Sequence, residues 1–204
     1  MKHALPRLYL IRHGETKWSR SSRHTGKTDL PLTDRGAAMA RRLQPYLADT
    51  PFALVLTSPL RRARETCELA GLGCHARISG ELLEWDYGEY EGRSSAEIRA
   101  EAPGWNVFRD GCPGGETPAQ VSERADRLIA AALALEGNIA LFSHGQFGCA
   151  LAARWIGLAI LEAQHFELDP ASVSVLAPKP GHPRVPVIGQ WNAGPSELSR
   201  QAFG

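Results

Sequence analysis

A chain of 204 residues is long enough to bury one substantial core. Its 23 basic and 22 acidic residues leave a formal charge of +1, which argues against nucleic acid or an anionic membrane surface as a partner, so any anion site must come from local clustering of charge. The 43% hydrophobic and 22% charged composition is that of an ordinary soluble globular protein, and no run approaches the length of a membrane span.

Met1 to Arg7 hold no apolar segment of signal-peptide length. The apolar run Leu8 to Ile11 reads as a buried strand that stops on Arg12-His13-Gly14. Open α/β sheets bind ligands at the C-terminal ends of such strands. Arg12 offers a planar fork for two phosphate oxygens, and His13 can attack as a neutral imidazole. Gly14 is expected to turn the chain sharply and to let a ligand approach the backbone. Taken alone, the same residues also suit a surface Arg-His pair on a loop. A polar loop, Lys17 to Thr28, follows.

Thr33 reads as the N-cap of a helix over Asp34 to Ala48, with Ala37, Ala40, Leu43 and Leu47 as its apolar stripe. Phe52 to Leu56 is a second strand. Ser58 as N-cap and Pro59 at the first helical position predict a helix through Ala70. A weaker strand lies near Ala76 to Ser79. Residues 80 to 118 are irregular and hold Trp85, Tyr87, Tyr90, Trp105 and Phe108, so they either line or cover a binding site or are pinned down by their own aromatics. Pro118 starts a long amphipathic helix, to about Leu135. Asn138 to Ser143 is a fourth strand ending in His144-Gly145, with a helix over Gln146 to Ile156. Ser172 to Ala177 and Val185 to Gln190 close the set.

This alternation predicts one domain over residues 1–204, a three-layer α/β/α sandwich with a mainly parallel, mixed central sheet. Three strand ends then converge on one edge, carrying Arg12 and His13, Ser58 with Arg61 and Arg62, and His144. Such a cluster repels itself when empty, and a phosphoryl group resolves the conflict. Cys67, Cys74, Cys112 and Cys149 lack C-x-x-C spacing, which predicts reduced thiols in a cytoplasmic protein. No carboxylate or His-Cys cluster has metal-ligand spacing, so neither a metal nor another cofactor is expected.

The same residues carry a resemblance. Arg12-His13-Gly14-Glu15-Thr16, Ser58-Pro59-Leu60 with Arg62-Ala63, Leu82-x-Glu84 and Ser143-His144-Gly145 are similar, in order, to the motifs of the histidine phosphatase superfamily. Thr25 to Thr33, Glu84 to Gly92 and Trp105 to Thr117 resemble the branch containing fungal sedoheptulose-1,7-bisphosphatase. The resemblance implies a small phosphorylated metabolite, a sugar phosphate or bisphosphate, as partner. It makes His13 the nucleophile, with Arg12, Arg62 and His144 holding the equatorial oxygens. Glu84 becomes the general acid and base, kept protonated at the start by burial near the aromatics.

Arg62 matches the motif position and Arg61 reads as a surface charge. Ser19 stands where many relatives have asparagine, and the main chains of Thr25, Gly26 and Gln146 are further candidates for oxygen contacts. Tyr87 and Arg109 are candidates for the non-reacting end of the substrate. Cys149 replaces an arginine of the pattern, which bears on substrate identity more than on chemistry. The leading expectation is a metal-independent phosphatase. Its rivals are a phosphoglycerate mutase, a phosphohistidine protein phosphatase and a non-catalytic phosphate-binding protein. The sequence leaves the oligomeric state open.

Overall fold

The first strand is buried on both faces, and this sets the layers. Leu8 and Leu10 join one apolar cluster while Tyr9 and Ile11 join another, as the two-residue period of a strand requires. The computed structural model describes residues 5–201, with side chains through Leu198. Residues 1–4 of the N-terminal segment and residues 202–204 of the expected domain lie outside the described residues.

Six strands, β1 (Arg7–Arg12), β2 (Phe52–Thr57), β3 (Ala76–Ile78), β4 (Asn138–Ser143), β5 (Val173–Lys179) and β6 (His182–Ala193), form one sheet in the order β3-β2-β4-β1-β5-β6. The first four are mutually parallel, whereas β5 runs antiparallel to β1 and β6 antiparallel to β5. The helices are α1 (Lys17–Arg20), α2 (Asp34–Arg41), α3 (Gln44–Ala48), α4 (Arg61–Leu69), α5 (Ser95–Glu101), α6 (Val107–Asp110), α7 (Pro118–Ala132), α8 (Gly145–Trp155) and α9 (Pro195–Gln201). Val121 and Leu128 of α7 and Phe147 and Leu151 of α8 share the cluster of Leu8 and Leu10. Leu47 of α3, Cys67 of α4 and Leu198 of α9 share that of Tyr9 and Ile11. The expected three-layer α/β architecture with a mixed sheet is the one observed.

Local departures have physical causes. The helix expected over Asp34 to Ala48 is two helices, because Pro45 has no N–H for the Arg41 carbonyl and its ring crowds that turn. The next helix begins at Arg61, not Pro59. Asp29 Oδ1 accepts from the Arg61 N–H at 2.6 Å, and Ser58 is engaged elsewhere. The 80–118 stretch contains α5 and α6, and Trp85, Tyr87, Trp105 and Phe108 are buried in the core. The last strand takes in Pro183 and Pro186, which an edge strand tolerates. All four cysteines are free, and no helix among the described residues is long and apolar enough to cross a membrane.

Candidate active site

Register places the chemistry. Arg12 of β1 pairs with Ser143 of β4, so the next residues, His13 and His144, emerge side by side, with ring centroids 5.2 Å apart. The Ser58 N–H donates to the Phe142 carbonyl at 2.9 Å, which sets the end of β2 beside them. Gly14 serves a contact different from the expected one. A Cβ there would lie 2.5 Å from the Gly36 carbonyl oxygen, so its bareness lets α2 close against the loop rather than admitting a ligand. Its N–H donates to Thr66 Oγ1, which in turn donates to the Arg62 carbonyl.

His13 is buried, and its Nδ1 lies 2.7 Å from the Gly14 carbonyl oxygen. A carbonyl only accepts, so Nδ1 carries the proton and Nε2 keeps a lone pair. Burial first, then the Arg62 and Arg12 charges, hold this imidazole well below the ordinary histidine range. Arg12 donates to the Leu168 carbonyl and lines the cavity beside His13, while its buried Nε has no hydrogen-bond partner among the described residues. An unpaired buried donor is costly, and it marks this guanidinium as held in place at the cavity rather than free to turn to other acceptors. Gly145 leaves room for this guanidinium, since a Cβ there would sit 3.3 Å from its central carbon.

Arg62 is brought to the same place but is committed to protein acceptors. It donates to the carbonyls of Thr25, Gly26 and Thr28 and, through Nε at 3.1 Å, to His144 Nδ1. His144 Nε2 therefore carries the proton and donates to Ser58 Oγ at 2.8 Å. Burial, then Arg62, push His144 well below the usual range as well. In this arrangement Arg62 acts on His13 through its charge while it ties the loop over residues 25–28 to the site.

Glu84 is buried beside Trp85 and shares the cavity wall with Tyr87, but main-chain donors hold it. Its carboxylate accepts from three backbone N–H groups, those of Trp85 at 2.9 Å, Gln146 at 3.1 Å and Phe147 at 2.8 Å. The last two belong to the first turn of α8, whose end favours negative charge. Behind it stands Arg124, a residue that sequence reasoning passed over. Its guanidinium donates to the carbonyls of Glu81, Leu83 and Glu84 and to both oxygens of Glu116, and lies 4.3 Å from the centre of the Phe147 ring. One cation thus holds the main chain that carries Glu84 and packs on the residue whose N–H grips its carboxylate. The available signal is that Arg124 falls on the apolar face formed by Val121, Ala125 and Leu128, where a charge needs buried partners. Arg124→Met should lower stability by about 3–5 kcal/mol, because it leaves three carbonyls without their donor and Glu116 with the Asp86 N–H but no cation. Urea denaturation checks this, and a loss within experimental error would contradict it.

The cavity beside His13 has a volume of about 500 Å³. Arg12, His13, Ser19, Thr25, Glu84, Tyr87 and Gln146 lie on its wall, whereas Gly26 and Arg109 do not. The Ser19 hydroxyl donates to the Thr16 carbonyl and accepts the Thr16 N–H, so it belongs to the cap of α1. The Gly26 N–H donates to Glu91, and that of Gln146 is held by Glu84. Arg109 forms an exposed ion pair with Asp110 at 2.8 Å, away from the site, and Arg61 an exposed pair with Glu65 at 2.6 Å. Burial raises the Tyr87 phenol well above its ordinary value and pushes the Cys149 thiol up to about 12, so both face the cavity uncharged. The segment 166–170 also lines the cavity, a role with no periodic signal in the sequence. Among the described residues no three His, Cys, Asp or Glu side chains gather as a metal site.

Known proteins resemble this chain over most of its length. The chain is 41% identical over 187 residues to an acid phosphatase of Mycobacterium tuberculosis, covering 90% of this chain and 92% of that one. It is 36% identical to the sedoheptulose 1,7-bisphosphatase of Saccharomyces cerevisiae, covering 78% and 71%. A solved structure from an open reading frame of M. tuberculosis superposes with a TM-score of 0.88 at 38% identity, over 93% of this chain and 98% of that one. The family model described as histidine phosphatase superfamily (branch 1) matches residues 8–190. That match runs from β1 into β6 and takes in Arg12, His13, Glu84 and His144, so the chain belongs to branch 1 of the histidine phosphatase superfamily.

Proposed function

We propose that the protein is a metal-independent phosphatase that hydrolyses a small phosphorylated metabolite, a sugar phosphate, through a phosphohistidine at His13. The observation that carries this reading is the pairing of a neutral His13, its Nδ1 proton held by the Gly14 carbonyl, with Arg12 on the wall of the same cavity. The yeast relative named for a sugar bisphosphate supports the substrate class.

In the first step the Nε2 lone pair attacks phosphorus, and the bond to the leaving oxygen breaks as Glu84 gives that oxygen a proton. In the second, water attacks the phosphohistidine, Glu84 takes a proton from it, and the P–N bond breaks to release inorganic phosphate and restore His13. Arg12 meets the equatorial oxygens directly, and Arg62 and His144 surround them from behind. Two negative groups share the cavity when substrate arrives beside Glu84, and a proton between them relieves the repulsion.

Two guanidinium groups supply the positive charge that a divalent cation supplies elsewhere. Phosphate release from sugar phosphates should therefore proceed undiminished in the presence of a chelator. Activity that appears only on addition of magnesium would overturn the metal-independent part of the reading. Absence of phosphate release from sugar and aryl phosphates alike would overturn the whole.

A further inference from the structure

The wall of the cavity away from His13 is short of free positive charge. Arg12 and Arg23 are its arginines, and Arg12 belongs to the reacting phosphate. Arg23 is occupied. Its Nη1 donates to the Gly92 carbonyl at 2.6 Å and to Glu97 Oε2 at 3.3 Å, and its Nη2 to Glu97 Oε1 at 3.4 Å. His24, also on the wall, stacks on Tyr87 at 4.6 Å and shares a hydrogen bond with Ser95 Oγ at 3.0 Å. Burial brings it down to about 4, so it is an uncharged hydrogen-bonding group at neutral pH. Glu167 and Asp169 also lie on the wall, flanking the Leu168 whose carbonyl accepts from Arg12. Asp169 is held there by Asn192, which takes its N–H and donates to its carboxylate at 3.0 Å. Glu84 aside, the other polar side chains on the wall are uncharged: the hydroxyls of Ser19, Ser22, Thr25 and Ser95, the Tyr87 phenol and the Gln146 amide.

We infer that this cavity selects a monophosphate ester of an uncharged polyol and disfavours a second phosphate, with the Arg23–Glu97 pair as the specificity determinant. This deepens the phosphatase reading and rests on it for the placement of the reacting phosphate. A second phosphate dianion reaching along the cavity meets two carboxylates and an arginine already neutralised. Like charges across a binding surface act as rejection rather than as lost attraction. Glu97 is suited to a test because it lies outside the cavity wall and also closes the capping box of α5 with Ser94, a role that glutamine fills as well.

The test is binding, measured by titration calorimetry on the His13→Ala protein so that nothing is consumed. The tighter of fructose 1-phosphate and fructose 6-phosphate is expected to bind at least about fivefold more tightly than fructose 1,6-bisphosphate. Adding Glu97→Gln should narrow that ratio to about twofold or less, and high salt should narrow it too, since the pair is solvent-exposed. Equal or tighter binding of the bisphosphate would overturn the inference. A ratio unmoved by Glu97→Gln would overturn the assignment to the Arg23–Glu97 pair. A wild-type protein that binds these compounds in the expected order but releases no phosphate contradicts the phosphatase reading alone.

Discussion

Replacement of His13 by alanine is expected to lower turnover by at least about 10⁴-fold on every phosphate ester, because it removes the group to which phosphorus is transferred. Arg12 would still meet the phosphate, with the Arg62 charge behind it, so binding should survive a change that ends chemistry. The fold should survive as well. Among the described residues the imidazole makes one hydrogen bond, to the neighbouring Gly14 carbonyl. The backbone bonds that set the loop, His13 N–H to the Ser143 carbonyl and Ala171 N–H to the His13 carbonyl, both at 3.0 Å, do not involve the side chain. Circular dichroism and a thermal melt close to wild type, with turnover lost, are the expected pair of results. The wild-type pH profile carries the matching signature. Protonation would silence this nucleophile, but burial and two arginine charges hold its proton affinity well below the ordinary value of 6.5. The neutral form therefore persists as pH falls through 6.5, and no loss of kcat centred there is expected from His13.

Glu84→Gln should cost about 10²–10⁴-fold in kcat, the usual contribution of a positioned general acid. The size should depend on the leaving group. A nitrophenolate departs almost unaided, whereas a sugar alkoxide needs the proton. The defect in phosphoenzyme formation, measured in a single turnover, is therefore expected to be larger on a sugar phosphate than on nitrophenyl phosphate. Three N–H donors surround this carboxylate, and a glutamine offers them one oxygen while turning its own N–H groups toward the rest. That mismatch weakens the local structure equally for both substrates, so the ratio of the two defects separates proton transfer from damage. Equal defects would mean that Glu84 positions the substrate and that another group delivers the proton.

Much of this site was legible because β1 announces itself. Four consecutive buried residues, then Arg12-His13, mark both an internal strand and the edge at which a parallel sheet does its chemistry. Ser58 and His144 were readable as strand ends on the same grounds, yet their mutual hydrogen bond was not. A serine before a proline scores as a helix cap, and only tertiary contact shows that it serves a histidine 86 positions away. Proline at position 45 carried its own warning, which the apolar stripe from Ala37 to Leu47 outweighed. The aromatic cluster after Glu84 could be read as cavity wall or as core. Trp85 and Phe108 went to the core, and Tyr87 belongs to both. Arg109 and Arg124 look alike in sequence, but only the second lies on the buried face of a long helix. The wall at 166–170 has neither period nor motif, and its place follows from the antiparallel return of β5 beside β1.

The most direct test of the account is to catch the covalent intermediate. Rapid mixing of the wild-type protein with a labelled phosphate ester, quenched in base, should yield a phosphoenzyme that is stable to base and labile to acid. Peptide mapping should place the label on His13, and the His13→Ala protein should give none. Turnover without label, or label retained on another residue, would contradict it.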